Sequence, residues 1–232
     1  MITLYIFAPM WGLPDASPFV MKTEVQLKLS GLDYTVEHGG LGQSPKGKLP
    51  FISDDGEIIS DSVFIRDHLE RKYALDLDFG LTAAQRAQSW ATERMLEDHL
   101  YWATVYARWG NETNFNKGPA QFFAGAPAEV SVGAHQHMID TLHAQGFGRH
   151  TPQQVGMLAY RSFAALSNLL GDQDYLFGNT ATALDAGALA TVAGATVEMF
   201  DSPVTTAAMS FPNLITYRNR LMARFYPELV AA

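Results

Sequence analysis

Two stretches of this chain place polar side chains at the predicted start of a helix. Asp61 and Ser62 lie where a strand passes into a helix, and Ser17-Pro18 is typical of the N-cap and first position of another helix. At a helix start, unpaired backbone N–H groups and the helix dipole favour a bound anion. The stretches therefore indicate a site for a negatively charged group. The alternative interpretation is that each polar side chain only caps its helix.

The residues before Asp61 predict a hairpin whose first strand begins at a proline. Strands are expected at Phe51–Ser53 and Glu57–Ser60, because the acidic and glycine residues between them suit a tight turn. Pro50 lies at the strand entrance, where it cannot donate to a ladder. A cis Leu49-Pro50 bond would turn the Leu49 backbone outward to pair with an extended ligand, although only about one X-Pro bond in twenty is cis. Without it, the segment is an ordinary hairpin.

Histidines near the middle of the chain suggest a metal site only at first sight. His135, His137 and His143 lie close to Asp140 in a predicted helix. On a helix, His135 and His137 point to nearly opposite sides, and no Cys or Glu completes a ligand set. The chain has no cysteine, which excludes disulfides, thiolate metal sites and a cysteine nucleophile. We therefore expect no metal cofactor.

The N-terminal third has the element order of a thioredoxin-like domain. A strand over residues 2–7, a helix after Ser17 and a strand over residues 34–37 predict a parallel βαβ unit with a right-handed crossover. A glycine-rich loop, the hairpin and a helix with Ile65, Leu69 and Tyr73 on one stripe follow it. The order predicts an α/β domain over residues 1–75.

The rest of the chain is predicted to be all helical. Residues 76–81 form a linker, and a second domain covers residues 82–232. Capping boxes at Thr82–Gln85 and Thr151–Gln154 open two of its helices. The predicted helices run from Thr82 towards Trp109, over residues 128–145, from Thr151 to about Leu170, from Thr182 through small residues to Ala195, and from Phe211 to Phe225, with an irregular connection over residues 110–130.

Composition narrows the classes of partner. At 47% hydrophobic residues, the chain can bury a real core. Its net charge of -8 argues against nucleic acid and anionic membrane surfaces. We see no signal peptide and no run of about 18 apolar residues that would span a membrane. We therefore expect a cytoplasmic protein.

The hairpin resembles the glutathione-binding module of glutathione transferases. The matching residues are Lys48-Leu49-Pro50-Phe51-Ile52, Gly56, Ile58-Ile59, Asp61-Ser62, Ile65 and Leu69. The box from Thr182 to Asp185 resembles one that these enzymes carry in a buried C-terminal helix. Residues 17–24, 211–214 and 218–220 are similar to the metaxin and failed-axon-connections branch of the superfamily. The resemblance covers essentially the whole chain and implies the glutathione transferase fold.

The resemblance implies glutathione as co-substrate and a role for each residue of its site. Leu49, before a cis Pro50, would pair its backbone with the cysteinyl amide. Asp61 and Ser62 would bind the γ-glutamyl ammonium and carboxylate. Lys48 would pair with the glycyl carboxylate as a point charge, or else is a solvated surface lysine.

The same resemblance makes Ser17 the candidate catalytic residue. Glutathione transfer needs a thiolate, and a helix start together with a hydroxyl donor favours the charged form of a thiol. Ser17-Pro18 occupies the position of the Cys-Pro motif of glutaredoxin-like relatives. Tyr5 is an alternative thiolate donor, and Trp11 is expected to wall the pocket.

The second substrate would lie against the helical domain. Trp102, Tyr106 and Trp109 recur at helical spacing and are expected to line an apolar pocket for a hydrophobic electrophile, although such a stripe can equally be core. Phe115, Phe122 and Phe123, in the irregular connection, would form a mobile wall over that pocket. The resemblance also implies the homodimer usual in this superfamily.

Three functions follow from these features. The first is a glutathione transferase that adds the thiolate to a hydrophobic electrophile with Ser17 as activator. The second is a non-enzymatic binding or scaffold protein of the metaxin-like branch, since fold does not fix function. A glutathione-dependent isomerase or peroxidase is a third. Thiol-disulfide exchange through the protein is excluded, because no cysteine is present.

Overall fold

A mixed four-stranded sheet forms the N-terminal part of the computed structural model, which describes residues 1–230. Its strands are β1 (Ile2–Ile6), β2 (Tyr34–His38), β3 (Phe51–Asp54) and β4 (Glu57–Ser60), in the order β2-β1-β3-β4. β2 is parallel to β1, whereas β3 is antiparallel to both β1 and β4. Helices α1 (Pro18–Ser30) and α2 (Ser62–Tyr73) complete the thioredoxin-like arrangement predicted from the sequence.

Helices make up the rest of the described chain. They are α3 (Ala83–Arg94), a π-helical stretch (Met95–Leu100), α4 (Tyr101–Trp109), α5 (Glu112–Lys117), α6 (Ala128–Gln145), α7 (Pro152–Leu170), α8 (Ala183–Ala195), α9 (Pro203–Met209), α10 (Pro212–Phe225) and α11 (Pro227–Val230). Short 3-10 turns lie at Leu41–Gln43, Pro119–Phe123 and Phe147–Arg149. The predicted fold class, a thioredoxin-like domain followed by helices, is confirmed.

The structure adds three features to the predicted helices. The connection over residues 110–130 contains α5, which begins where Asn111 Oδ1 accepts a hydrogen bond from the Asn114 N–H at 3.1 Å. The short helix α9 begins at Ser202-Pro203, a cap pattern like that of α1. The long helix expected from Thr82 to Trp109 is continuous but has a π-helical turn at its centre.

Helix α1 is buried on two sides. Val20 and Leu27 pack into the apolar cluster of the sheet, whereas Met21 and Val25 belong to the apolar cluster of the helices. Val20 and Leu27 lie on one face of the helix and Met21 and Val25 on a neighbouring face, so α1 joins the two cores. Its N-terminus is therefore held at the boundary between the sheet and the helices.

Helix α8 is the centre of the helical part, and all its residues are buried. Its small side chains allow neighbouring helices to approach closely on every side. Asp185 accepts hydrogen bonds from the backbone N–H groups of Leu176 and Thr182, at 3.0 and 2.8 Å, and from the Tyr217 hydroxyl at 2.7 Å. Burial raises the pKa of Asp185, and these hydrogen bonds oppose that rise. The Thr182–Asp185 box therefore ties the start of α8 to α10.

We expect Asp185→Asn to lower the free energy of unfolding by about 3 kcal/mol. The amide N–H₂ that replaces one carboxylate oxygen would face buried hydrogen-bond donors and leave them without an acceptor. The control is Gln154→Ala, which removes the equivalent box residue at the exposed start of α7 and should cost no more than about 1 kcal/mol. Urea denaturation of both variants measures the difference. Equal losses of unfolding free energy in the two variants would show that the buried box stabilises the fold no more than the exposed one.

Candidate functional site

A cavity of about 400 Å³ lies between the sheet and the helices. On the N-terminal side it is lined by Phe19, Lys46, Lys48, Leu49, Pro50, Asp61, Ser62, Val63 and Phe64. The structure thus brings together five of the predicted glutathione-site residues. These are the three residues at the start of the hairpin and the Asp-Ser pair that ends it.

The Leu49 backbone is available for pairing at the cavity wall. The Leu49-Pro50 peptide bond is cis. The neighbouring Lys48 is already engaged, since its N–H and C=O both bond to the Ser44 hydroxyl, at 3.3 and 2.7 Å. Among residues 1–230, neither the N–H nor the C=O of Leu49 has a hydrogen-bond partner. An extended ligand could therefore form both bonds with it.

Asp61 has an unusual backbone conformation. Its φ is +84°, a value that non-glycine residues adopt at a cost of about 1–3 kcal/mol and that concentrates at functional sites. One carboxylate oxygen accepts the Val63 N–H at 3.1 Å and caps α2, and the other lies 3.5 Å from the Lys46 ammonium. Ser62, at the first position of α2, is buried. The pair thus presents a carboxylate and a hydroxyl beside the free N–H groups of a helix start.

The helical side of the cavity carries charged and aromatic residues that the sequence did not indicate. They are Trp90 and Arg94 of α3 with Glu97 and Asp98 of the π-helical stretch. Arg94 lies over the Trp90 ring at 4.6 Å and donates to Glu97 at 2.6 Å. The spacing of Trp90, Arg94 and Asp98, four residues apart, is the one signal that could have marked this face.

Ser17 caps α1 as predicted. Its Oγ accepts the Val20 N–H at 3.4 Å, and within residues 1–230 no acceptor takes its hydroxyl proton. Ser17 itself is half-buried and is not among the residues that line the cavity, whereas Phe19 is. The alternative donor, Tyr5, stacks on Phe51 within the sheet at a centroid distance of 4.1 Å. The free proton of Ser17 leaves it able to donate to a bound group.

A buried carboxyl group lies directly behind Ser17. Asp15 accepts hydrogen bonds from the backbone N–H groups of Phe7 at 2.9 Å and Ser17 at 2.7 Å. Burial raises the pKa of Asp15 to about 7, although both hydrogen bonds act in the opposite direction. Asp15 therefore fixes the end of β1 and the start of α1 relative to each other.

The structure does not bring Trp11 to the wall of this cavity. Trp11 lines a separate cavity of about 520 Å³, together with Arg218 and other residues of α8 and α10. Its ring packs edge-on against Phe200 and Phe122, at centroid distances of 5.0 and 5.4 Å. These aromatic contacts turn the indole into the helical part of the chain.

The predicted aromatic stripe is also absent from the walls of both cavities. Trp102, Tyr106 and Trp109 are half-buried and pack against the helical core. The Tyr106 hydroxyl donates to the His150 carbonyl at 3.3 Å. Their assignment to an electrophile pocket stays a prediction, and the packing favours the alternative that they are core.

The histidines of α6 make other contacts. His135 stacks on Phe115 at 3.9 Å, and its Nε2 lies 2.8 Å from the Trp109 carbonyl oxygen. Within residues 1–230, no three His, Asp or Glu side chains are grouped as metal ligands. In the same range, no helix is long and apolar enough to cross a membrane.

Sequence comparison identifies the family. The profile of the glutathione S-transferase N-terminal domain matches residues 18–115, and that of the C-terminal domain matches residues 159–221. The isoprene-epoxide–glutathione S-transferase of Rhodococcus sp. (strain AD45) is 31% identical over 240 residues, covering 97% of this chain and 99% of that protein. The chain belongs to the glutathione S-transferase family.

Other relatives of this chain carry different names. Failed axon connections of Drosophila melanogaster is 32% identical, over 98% of this chain and 58% of that protein. Human metaxin-2 is 26% identical, over 80% of this chain and 72% of that protein. Among solved structures, a glutathione S-transferase from Rhodospirillum rubrum superposes with a TM-score of 0.63 at 17% identity, over 100% of this chain and 93% of that one. The resemblance to this fold and branch is therefore confirmed.

The raised pKa of Asp15 predicts a pH-dependent stability. The folded protein keeps this proton up to about pH 7, whereas the unfolded chain releases it near pH 4. The contribution of Asp15 to the free energy of unfolding must therefore fall as pH rises between these values. Urea denaturation should show a wild-type advantage over Asp15→Asn that is smaller at pH 8 than at pH 5. A difference that does not change with pH would contradict the shift.

Proposed function

We propose that this glutathione S-transferase binds glutathione in the cavity between the sheet and the helices and adds its thiolate to a hydrophobic electrophile. The observation that carries the proposal is the convergence of the free Leu49 backbone with Asp61 and Ser62 on one cavity. A main-chain pair and a carboxylate at a helix start match the peptide bond and the charged γ-glutamyl end of glutathione.

The charges around the cavity suit the remaining groups of this tripeptide. Lys46 and Lys48 line its N-terminal side and can pair with a carboxylate. Asp98 lines the opposite side and is exposed, so it is a second candidate partner for the ammonium group. The volume of about 400 Å³ falls within the range of small-molecule sites.

Ser17 is proposed to activate the thiol. Its hydroxyl would donate a hydrogen bond to the sulfur at the start of α1, which favours the thiolate. The name of the Rhodococcus relative suggests an epoxide as the electrophile. The thiolate would attack an epoxide carbon, a C–S bond would form as the C–O bond breaks, and the resulting alkoxide would take a proton from water.

A non-enzymatic binding protein is the second candidate. The observation that favours it is the similarity to Failed axon connections, which extends over 98% of this chain. Such a protein would keep the fold and either lose glutathione binding or bind it without transfer. A glutathione-dependent isomerase or peroxidase uses the same thiolate and remains an alternative. The homodimer and the cytoplasmic location stay predictions from the sequence.

Replacement of Ser17 by alanine tests the proposed activation. We expect Ser17→Ala to bind glutathione with an affinity within about twofold of wild type but to conjugate a reactive aryl halide or an epoxide about 100-fold more slowly, as for loss of a donor to a developing anion. Calorimetry measures the binding, and initial rates measure the transfer.

Ser202→Ala is the matched control for Ser17→Ala. It also removes an N-cap serine before a proline, so it should lose comparable stability, about 1 kcal/mol, with full activity. Absence of any wild-type heat of binding at millimolar glutathione would eliminate the enzyme proposal. Equal rates for wild type and Ser17→Ala would eliminate only the role of Ser17.

A second substitution tests the glutathione site itself. Asp61→Asn keeps the helix cap and a side chain that tolerates positive φ, but it removes the charge that would face the ammonium group. We expect the Kd for glutathione to rise about tenfold, or ~1.4 kcal/mol. Asp55→Asn is the control, because Asp55 is also exposed at positive φ but lies in the hairpin turn beside Lys72. An equal effect of the two substitutions on the Kd would refute the assignment.

A further inference from the structure

Arg108, in α4, is a buried arginine without a carboxylate partner. Its side chain is almost fully enclosed, with 7% of the residue exposed. One guanidinium nitrogen donates to the Ala16 carbonyl at 2.9 Å and another to the Gly194 carbonyl at 2.8 Å. Within residues 1–230 no carboxylate lies in ion-pair distance of it, and its Nε–H has no acceptor. Because isolated charges are costly to bury, this arrangement needs an explanation.

The surroundings of Arg108 stabilise its positive charge without pairing it with a negative one. The guanidinium lies 4.9 Å from the Trp11 ring centroid and 5.5 Å from that of Phe200, where the ring faces attract a cation. Gly194 is in the last turn of α8, whose C-terminal end is the negative end of the helix dipole. Burial lowers the pKa of Arg108 to about 10, so it remains protonated at neutral pH.

The charge lies next to the residue that would activate the thiol. Ala16, which accepts the bond from Arg108, immediately precedes Ser17. Two other titratable groups face this region. They are Tyr101 of α4, whose pKa burial raises above its ordinary value, and Asp15, whose carboxyl is held by the Ser17 N–H. Burial raises the pKa of Asp15 to about 7, and this carboxyl forms no ion pair with Arg108, so it does not neutralise the guanidinium.

We propose that Arg108 is a positioning residue for thiol activation, which fixes the Ala16-Ser17 peptide and supplies an uncompensated positive charge behind the start of α1 that stabilises the glutathione thiolate. The inference rests on the proposed function. A purely structural role is the competing explanation, in which Arg108 only ties the loop before α1 to the end of α8. The two explanations differ in the thiol pKa expected when a neutral side chain with N–H donors replaces Arg108. Only loss of a functional charge should raise that pKa.

The test compares Arg108→Gln, which is neutral but keeps N–H donors, with Arg108→Lys, which keeps the charge. The full-length protein is saturated with glutathione, and thiolate absorbance in the ultraviolet is followed against pH. We expect Arg108→Gln to raise the pKa of the bound thiol by about one unit and to lower kcat/KM about tenfold at neutral pH, with the deficit shrinking as pH rises. Arg108→Lys should restore most of both values.

S-methylglutathione, which has no thiol to ionise, separates charge from structure. The Kd of S-methylglutathione should be the same for Arg108→Gln and wild type. The control is Arg161→Met, which removes an exposed arginine of α7. In this control the pKa of the bound glutathione thiol should equal that of wild type. A folded Arg108→Gln with an unchanged thiol pKa would overturn the inference. So would equal losses of glutathione and S-methylglutathione binding.

Two further outcomes keep the test decisive. If Arg108→Gln does not fold, Arg108→Asn, a second neutral substitution with N–H donors, takes its place. A bound thiol pKa equal to that of wild type in the folded asparagine variant would overturn the inference, and one raised by about one unit would support it. If wild type binds no glutathione, the proposed function fails together with this inference. Failure of the inference alone requires normal wild-type binding.

Discussion

The structure depends on the two-sided burial of α1. A helix that packs on a sheet needs one apolar face, but α1 must also pack on α8, so it carries apolar residues on both sides. Lys22 lies in the α1–α8 contact, and its ammonium is neutralised by Glu93 at 2.6 Å and Glu97 at 2.5 Å. Because both partners come from the helical part, the ion pairs fix the orientation of the two halves. The start of α1, and with it Ser17, is fixed as a consequence.

Two buried polar side chains hold the segment before Ser17 from two sides. Asp15 accepts the Ser17 N–H, and Arg108 donates to the Ala16 carbonyl. The Ala16–Ser17 peptide group is thereby bonded at both its C=O and its N–H to buried side chains that come from different parts of the fold. A loop fixed in this way can hold a hydroxyl in one orientation without a ligand, which is what a preorganised site requires.

The features that the sequence predicted well are those with local causes. The hairpin, the cap at Ser17 and the boxes at Thr82, Thr151 and Thr182 follow from turn and capping preferences over a few residues. The grouping of Leu49 with Asp61 also follows from the hairpin, since β3 and β4 pair in register between them. The residues on the N-terminal side of the cavity could therefore be predicted from the sequence.

The helical side of the cavity has no such local cause. The positions of Trp90, Arg94 and Asp98 depend on how α3 packs across the molecule, which periodicity alone does not reveal. The short helix α5, like α9, has too few residues to show a helical stripe. The burial of Arg108 could not be predicted from the sequence. It bonds to backbone carbonyl groups, which every residue has, so no acidic residue in the sequence marks it as paired.

The π-helical stretch between α3 and α4 changes the phase of one long helix. The N–H of Tyr101 bonds to the C=O of Leu96, five residues earlier instead of four. This turn holds one residue more than an α-helical turn, so the stripe that begins at Trp90 and Arg94 does not continue on the same side into α4. Trp102 and Tyr106 accordingly face the helical core. In evolutionary terms the turn is equivalent to a single inserted residue, and a relative with a straight α-helix here would align with this chain only across a one-residue gap between residues 95 and 100.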